Sequence, residues 1–263
     1  MRVILLGTGA SAGVPMIGGA DGRGDWGVCD PSEPRNRRTR SSIVVQGGQG
    51  ALLVDTGPDL REQLLSCGIS RVDAILFTHA HADHITGLDD VRILNRLMNR
   101  PLDAFGTDLT LSDIEGRFPY AFRPWSPPGF YRPVVVARRA APGEVIDTAG
   151  LSVALFEQDH GFTRTLGLRI GSFGYSTDVV ELDDTAFACL QGVDTWVVDC
   201  FQRQAHTTHA NVDQVIDWAE RVKPRRMVLT HMGYDVDWAW LKRRLPPGIE
   251  PAHDGMVLEV AEA

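Results

Sequence analysis

The chain alternates short apolar runs with stretches rich in glycine, proline and charge. Val3–Leu6 predicts a buried strand closed by a glycine turn, and residues 10–40 predict a long loop. Ser42–Gln46 and Ala51–Val54 predict a hairpin around 47-GGQG-50. Asp59–Cys67 predicts a helix stopped by Gly68, Ala74–Phe77 a strand, and the stretch to Asn99 a helix from about Gly87. Pro119, Pro124, Pro127, Pro128 and Pro133 break up 100–133, which predicts a loop region with short strands or turns. Short strands follow near 134–137, 151–157, 165–170 and 172–176. Then come a helix at 183–190, strand Thr195–Val198, helix Val212–Val222, strand Arg226–Leu229, helix Val236–Leu245 and strand Met256–Val260. Both ends alternate strand with helix and no low-complexity linker intervenes, so one α/β domain over 1–263 is expected.

The strand ends repeat a pattern. Both 74-AILFTH-79 and 226-RMVLTH-231 run from apolar residues through Thr into His. The stretches 51-ALLVDTG-57, 173-FGYSTD-178 and 195-TWVVDC-200 run from apolar residues into Asp. Strand ends are where α/β folds place chemistry, because side chains there are rigidly held yet reach solvent.

The densest chemistry is 79-HAHADH-84. His79 and His81 are two apart and point to one side of extended backbone, whereas Asp83 and His84 are adjacent and diverge. Three imidazoles and a carboxylate packed without a cation would lose solvation for no return. They fit two half-built metal sites, and imidazole with carboxylate suits zinc, manganese or iron. The remaining ligands must come from elsewhere, with His160, Asp178 and His231 as candidates.

HAHADH, with DTG (Asp55) upstream and DH (His160), STD (Asp178) and LTH (His231) downstream, resembles the metallo-β-lactamase-fold hydrolases over most of the chain. The stretches LGTGASAGVP, 26-WGVC-29, RRTRSS, 228-VLTHMGYDVDW-238 and 254-DGM-256 are similar to the phosphoribosyl 1,2-cyclic phosphate phosphodiesterases of phosphonate breakdown. The resemblance implies a four-layer αββα sandwich with two metal ions at one edge. It implies one ion held by His79, His81 and His160, another by Asp83, His84 and His231, and Asp178 as bridge. It places Asp55 behind the ligands as an orienting carboxylate, and the donor of a proton to the leaving group at His209, with His206 a rival. It also suggests a homodimer. The resembled enzymes carry an extra structural zinc on three clustered cysteines and a later histidine. Here only Cys29 remains and Tyr234 takes the histidine's place, so the 10–40 loop must be held otherwise.

The expected reaction is attack on phosphorus by a hydroxide bridging the two ions, with His209 protonating the leaving oxygen. Arg38 and Arg40 in 35-RNRRTR-40, and Arg164 after His160, are candidates for the substrate phosphate, against a solvated charge run. GTGASAG is GxGxxxG with no helix pattern after it, and reads as a turn lining the site rather than a dinucleotide motif. Trp125, Trp238 and Trp240 could stack on a base or sugar, although core packing is the stronger reading for the last two.

Charge narrows the partners. With 26 Lys+Arg against 34 Asp+Glu the net charge is −8, which disfavours long nucleic acid and favours a small phosphorylated substrate. The four cysteines form no CxxC pair or disulfide framework, and no signal peptide or membrane span is expected, so a cytoplasmic setting is expected. The expected function is a binuclear, zinc- or manganese-dependent phosphodiesterase acting on a small cyclic or nucleotide-like phosphate. An RNA-processing nuclease, a thioester or lactone hydrolase, and a non-catalytic metal-dependent nucleotide-binding protein stand as alternatives.

Overall fold

The computed structural model describes residues 1–48, 50–124 and 134–261. Its elements run β1 (Arg2–Gly7), β2 (Ser42–Gly47), β3 (Gly50–Val54), α1 (Leu60–Ser66), β4 (Ala74–Leu76), α2 (Ala82–Ile85) and α3 (Val91–Met98). They continue with β5 (Leu102–Gly106), α4 (Asp108–Arg117), α5 (Pro119–Phe122), β6 (Val135–Arg139), β7 (Val145–Thr148), β8 (Leu151–Asp159), β9 (Arg164–Ile170) and β10 (Phe173–Ser176). The last are α6 (Asp184–Leu190), β11 (Thr195–Asp199), α7 (Val212–Val222), β12 (Arg226–Thr230), α8 (Trp238–Arg244), β13 (Ile249–Pro251) and β14 (Met256–Glu259).

The strands form two seven-stranded sheets, ordered β14-β1-β2-β3-β4-β5-β6 and β13-β12-β11-β10-β9-β8-β7. Each mixes antiparallel pairs with a parallel run: β3 to β6 in the first, β10 to β13 in the second. The inner strands β1 to β4 of the first sheet carry unbroken apolar runs because both of their faces are covered. Val3, Leu5, Ile43, Val45, Leu52 and Val54 share a core with Leu155, Leu168, Tyr175 and Val197 of the second sheet. Their neighbours Ile4, Leu6, Val44 and Leu53 pack instead with Leu60, Leu64, Leu94, Leu111 and Ile114 of α1, α3 and α4. Phe187, Leu190, Val215, Trp218 and Leu241 of α6, α7 and α8 cover the second sheet. The layers are helix, sheet, sheet, helix.

The sequence pattern misplaced one region. Stretch 100–133 holds β5, α4 and α5 within its first part. Helix α4 starts where Thr107 accepts a hydrogen bond from the Thr110 amide, and its buried positions are only Thr110, Leu111 and Ile114, too few for a clear apolar stripe. Pro119 does not break structure but opens α5, where a missing N–H costs nothing. The predicted long helix after His84 is split into α2, a 3-10 turn at Leu88–Asp90 and α3. Strands β7 and β13, absent from the sequence reading, lie at the edge of their sheet, β7 half exposed and β13 ending in a proline that an edge tolerates. Trp125 lies outside the described residues. Among the described residues, no helix is long and apolar enough to cross a membrane.

Candidate metal centre

The parallel runs of both sheets direct the carboxyl ends of their strands to one edge, and the recurring strand-end residues meet there. Asp55 follows β3, His79 follows β4, Asp178 follows β10, Asp199 closes β11, and His231 follows β12. Three of them adopt left-handed backbone: Asp55 at φ 63°, Asp178 at 53° and His231 at 53°. Such geometry is uncommon for residues with a Cβ, although Asp and His tolerate it best, and its clustering at one site marks a place where side chains must be turned inward.

Two groups of donors converge. His79, His81, His160 and Asp178 offer ligand atoms all within 4.8 Å of one another, and so do Asp83, His84, Asp178 and His231. Asp178 belongs to both, and its two oxygens divide between them. Oδ1 lies 3.9 Å from His79 Nε2 and 3.7 Å from His160 Nε2. Oδ2 lies 3.1 Å from His84 Nε2 and 3.3 Å from His231 Nδ1. His84 Nε2 is a further 3.2 Å from Asp83 Oδ2. Donors at tetrahedral positions about 2.0–2.1 Å from a zinc ion are separated by roughly 3.3–3.5 Å, so the second group already has the right spread and the first is slightly wider.

The hydrogen bonds behind the rings settle which nitrogens face the centre. The Thr78 hydroxyl donates to Asp55 Oδ2 at 2.8 Å, so its oxygen accepts from His79 Nδ1 at 3.0 Å. Asp55 Oδ2 also accepts from His84 Nδ1 at 2.7 Å, and Oδ1 from the Thr78 amide at 2.8 Å. The Thr208 carbonyl accepts from His160 Nδ1 at 2.7 Å. Each of these imidazoles therefore carries a proton on Nδ1 and turns Nε2 inward, as metal-binding histidines do. Burial disfavours charge on His84, but Asp178, Asp83 and Asp55 outweigh it and hold its pKa well above that of an ordinary imidazole. A metal ion there would take the place of a proton. The Nε2 atoms of His79 and His84 and both ring nitrogens of His231 are buried without a hydrogen-bond partner. Orphaned buried ring nitrogens of this kind are costly, and bound cations would satisfy the free lone pair of each ring. The donor set fits a divalent metal.

Electrostatics point the same way. Burial opposes the charge of Asp178, yet His231 and His84 hold its carboxyl well below the usual range. Asp83 is likewise pulled down against its burial, chiefly by His84. Burial and the neighbouring rings push His79 well below an ordinary imidazole, toward the neutral form a ligand needs.

Asp55, wholly buried, touches no open space and acts through Thr78 and His84. Asp55→Asn should keep the fold but weaken divalent-metal retention about 10–100-fold, read by titration against a coloured chelator.

Beyond the two groups stands His209. Its Nδ1 lies 2.8 Å from Asp199 Oδ2, and its ring is 4.8 Å from that of His231 and 4.7 Å from that of His160. Burial disfavours its charge, but Asp199 outweighs this and pushes its pKa up to about 9. His206 is one ring further out, 5.4 Å from His209, and its Nδ1 accepts from the Thr208 amide at 3.3 Å. Asp199 was the residue the sequence reading passed over. Its signal was present, since TWVVDC shares the strand-end pattern, but nothing in sequence tied it to a histidine ten positions on.

The predicted substrate arginines each have partners within the chain. Arg38 is buried, and its guanidinium donates to the carbonyls of Gly233 and Val236 and to Asn36 Oδ1. Arg40 pairs with Asp59 at 3.1 Å, and Arg164 pairs with Asp159 and lies 3.8 Å from Glu157. All three are occupied by neighbours in the chain, Arg40 and Arg164 by carboxylates and Arg38 by neutral oxygens. Trp238 lies under the Arg35 guanidinium and Trp240 under that of Arg203. The GTGASAG turn packs behind His231, with the Thr8 carbonyl accepting from the Met232 amide at 2.8 Å. The 10–40 loop is tied down by Arg38, by Asn36 on Asp237, and by Cys29 on the Tyr234 carbonyl.

This architecture and donor set are those of a known class. Residues 51–232 match the family model of the beta-lactamase superfamily domain, and the chain belongs to that family. With its two helix-flanked sheets it has the metallo-β-lactamase αββα fold, and its two His/Asp groups are of a kind that could hold metal ions. It is similar to a diphosphatase of the PhnP family, at 35% identity and a TM-score of 0.89 over 99% of this chain and 98% of that one. It is also 31% identical to an octanoyltransferase of Porphyromonas gingivalis, over 97% of this chain and 51% of that protein. It is 28% identical to a ribonuclease Z of Bradyrhizobium, over 54% of this chain and 47% of that protein. The chain thus spans about half the length of these curated relatives.

Proposed function

We propose that the protein hydrolyses a phosphodiester or related phosphoryl bond in a small cyclic or nucleotide-like phosphate, using two divalent cations, zinc or manganese. The observation that carries this reading is the division of Asp178, with one oxygen toward His79 and His160 and the other toward His84 and His231. A carboxylate shared in this way suits two ions side by side. When bound, such ions supply Lewis acidity toward a phosphoryl oxygen and lower the pKa of water.

The chain's own residues supply the rest. Asp55 and Thr78 fix the proton positions of His84 and His79 so that their inward nitrogens stay free. His209, its Nδ1 proton held by Asp199, presents Nε2 as a proton donor to the departing oxygen. Because Nδ1 of His206 is engaged by Thr208 and, among the described residues, no carboxylate hydrogen-bonds to its ring, His209 is the better placed of the two. The similarity to a PhnP-family diphosphatase over nearly both full chains supports phosphoryl chemistry. The net charge of −8 argues against long RNA as substrate despite the ribonuclease Z relative. Four unpaired cysteines suit a reducing, cytoplasmic setting.

The test is turnover of bis-(p-nitrophenyl) phosphate and of 2′,3′-cyclic and ribose 1,2-cyclic phosphates by metal-loaded protein. Turnover should be lost on chelation, lost in His81→Ala, and restored to the wild type by added zinc or manganese. Hydrolysis of an octanoyl thioester or a lactone with no phosphoryl substrate accepted would overturn the proposal.

A further inference from the structure

The imidazoles of the centre are not held alike. His79, His84 and His160 are each anchored through Nδ1, by Thr78, Asp55 and the Thr208 carbonyl. His231, 1% exposed, has no hydrogen bond to either ring nitrogen. Its ring is placed by stacking, 4.8 Å from His209 and 5.8 Å from His84, and by its backbone, which is left-handed at φ 53°. A strained backbone persists only where its surroundings over-determine it.

The turn just after it, residues 232–237, is held at its start by the Met232 and Gly233 amides, which donate to the carbonyls of Thr8 and Phe201 at 2.8 and 2.9 Å, and across its span by Arg38. Nη1 donates to the Gly233 carbonyl at 3.0 Å, and Nη2 donates to the Val236 carbonyl at 2.8 Å and to Asn36 Oδ1 at 3.1 Å. Arg38 is 2% exposed, and among the described residues no carboxylate accepts a hydrogen bond from it. Burying a cation against carbonyls alone is expensive, so its retention calls for a role. Asn36 extends the clamp, donating to Asp237 Oδ2 at 2.7 Å and accepting from the Trp238 amide at 2.8 Å.

We propose that Arg38 is a positioning residue for one half of the metal centre: its buried guanidinium fixes the turn that aims His231. The ion held by Asp83, His84 and His231 then depends on Arg38, whereas the ion held by His79, His81 and His160 does not. This rests on the two-cation reading above. Lysine cannot replace the arginine, because one ammonium cannot span two carbonyls and an amide oxygen in a planar fork.

Metal content, not turnover, tests it. Zinc-loaded wild type, Arg38→Met, Arg38→Lys and His231→Ala are dialysed against a weak chelator and analysed for bound zinc per chain. Arg38→Met should fall to the content of His231→Ala, near one ion, and the double variant should lose no more. Arg38→Lys, the variant more certain to fold, should release one ion at least about tenfold faster than wild type while keeping the other. Arg38 variants that hold both ions as firmly as wild type would overturn the proposal, and so would loss of both ions together, which marks general loosening. Wild type holding a single ion would instead overturn the two-cation reading itself, and the proposal with it.

Discussion

Asp178→Ala should reduce phosphodiester turnover at least about 10³-fold, equivalent to about 4 kcal/mol of transition-state stabilisation. The size follows from position. Every other ligand belongs to one group of donors, but Asp178 contributes an oxygen to each. Removing it also takes from the wholly buried His84 one of the two carboxylates at its Nε2, leaving Asp83 alone at 3.2 Å. The variant should bind less metal at both positions, where His81→Ala should weaken only one. Stopped-assay kinetics alongside elemental analysis would check both halves. An Asp178→Ala protein with full metal content and near-normal turnover would count against the shared carboxylate.

His209→Ala should show the second large effect, and a selective one. If His209 protonates the leaving oxygen, its loss should slow a cyclic ribose phosphate, which expels an alkoxide, by about 10²–10⁴-fold. A p-nitrophenyl ester expels a stable phenolate and needs no proton, so its rate should change by less than about tenfold. Asp199→Asn should show the same substrate pattern in weaker form, because it removes the charge that holds the His209 Nδ1 proton at 2.8 Å without removing the ring. His206→Ala should not show the pattern. Comparing kcat on the two substrate types across the three variants reads this directly; equal losses on both types in His209→Ala would remove it from the donor role.

Much of this site was legible in the chain because it is built from strand ends. A buried strand has an unmistakable apolar run, and the polar residues just after it are both visible in sequence and fixed in space. Asp55, His79, Asp178 and His231 all stand at such points, and the parallel order of β3 with β4 and of β10 with β11 and β12 brings them together. His160 follows the long β8, paired antiparallel to β9, and joins the same edge. What stayed illegible depends on contacts between distant segments. The pairing of Asp199 with His209 needs the loop between them to fold back, and the capture of Arg38 by the carbonyls of Gly233 and Val236 joins positions 195 and 198 apart. An arginine cluster in sequence carries charge but not direction, and burial inverted the expected role of Arg38. Helix α4 was missed for a local reason: only a few of its ten residues are buried, and they do not make a stripe.

The central claim is that two cations lie on either side of the Asp178 carboxylate. Anomalous diffraction from a crystal soaked in manganese or zinc tests it most directly. The account predicts two peaks, one among His79, His81 and His160, the other among Asp83, His84 and His231, each within bonding distance of a different Asp178 oxygen. A lone peak in the loaded crystal, or a pair that leaves Asp178 unbound, would contradict it.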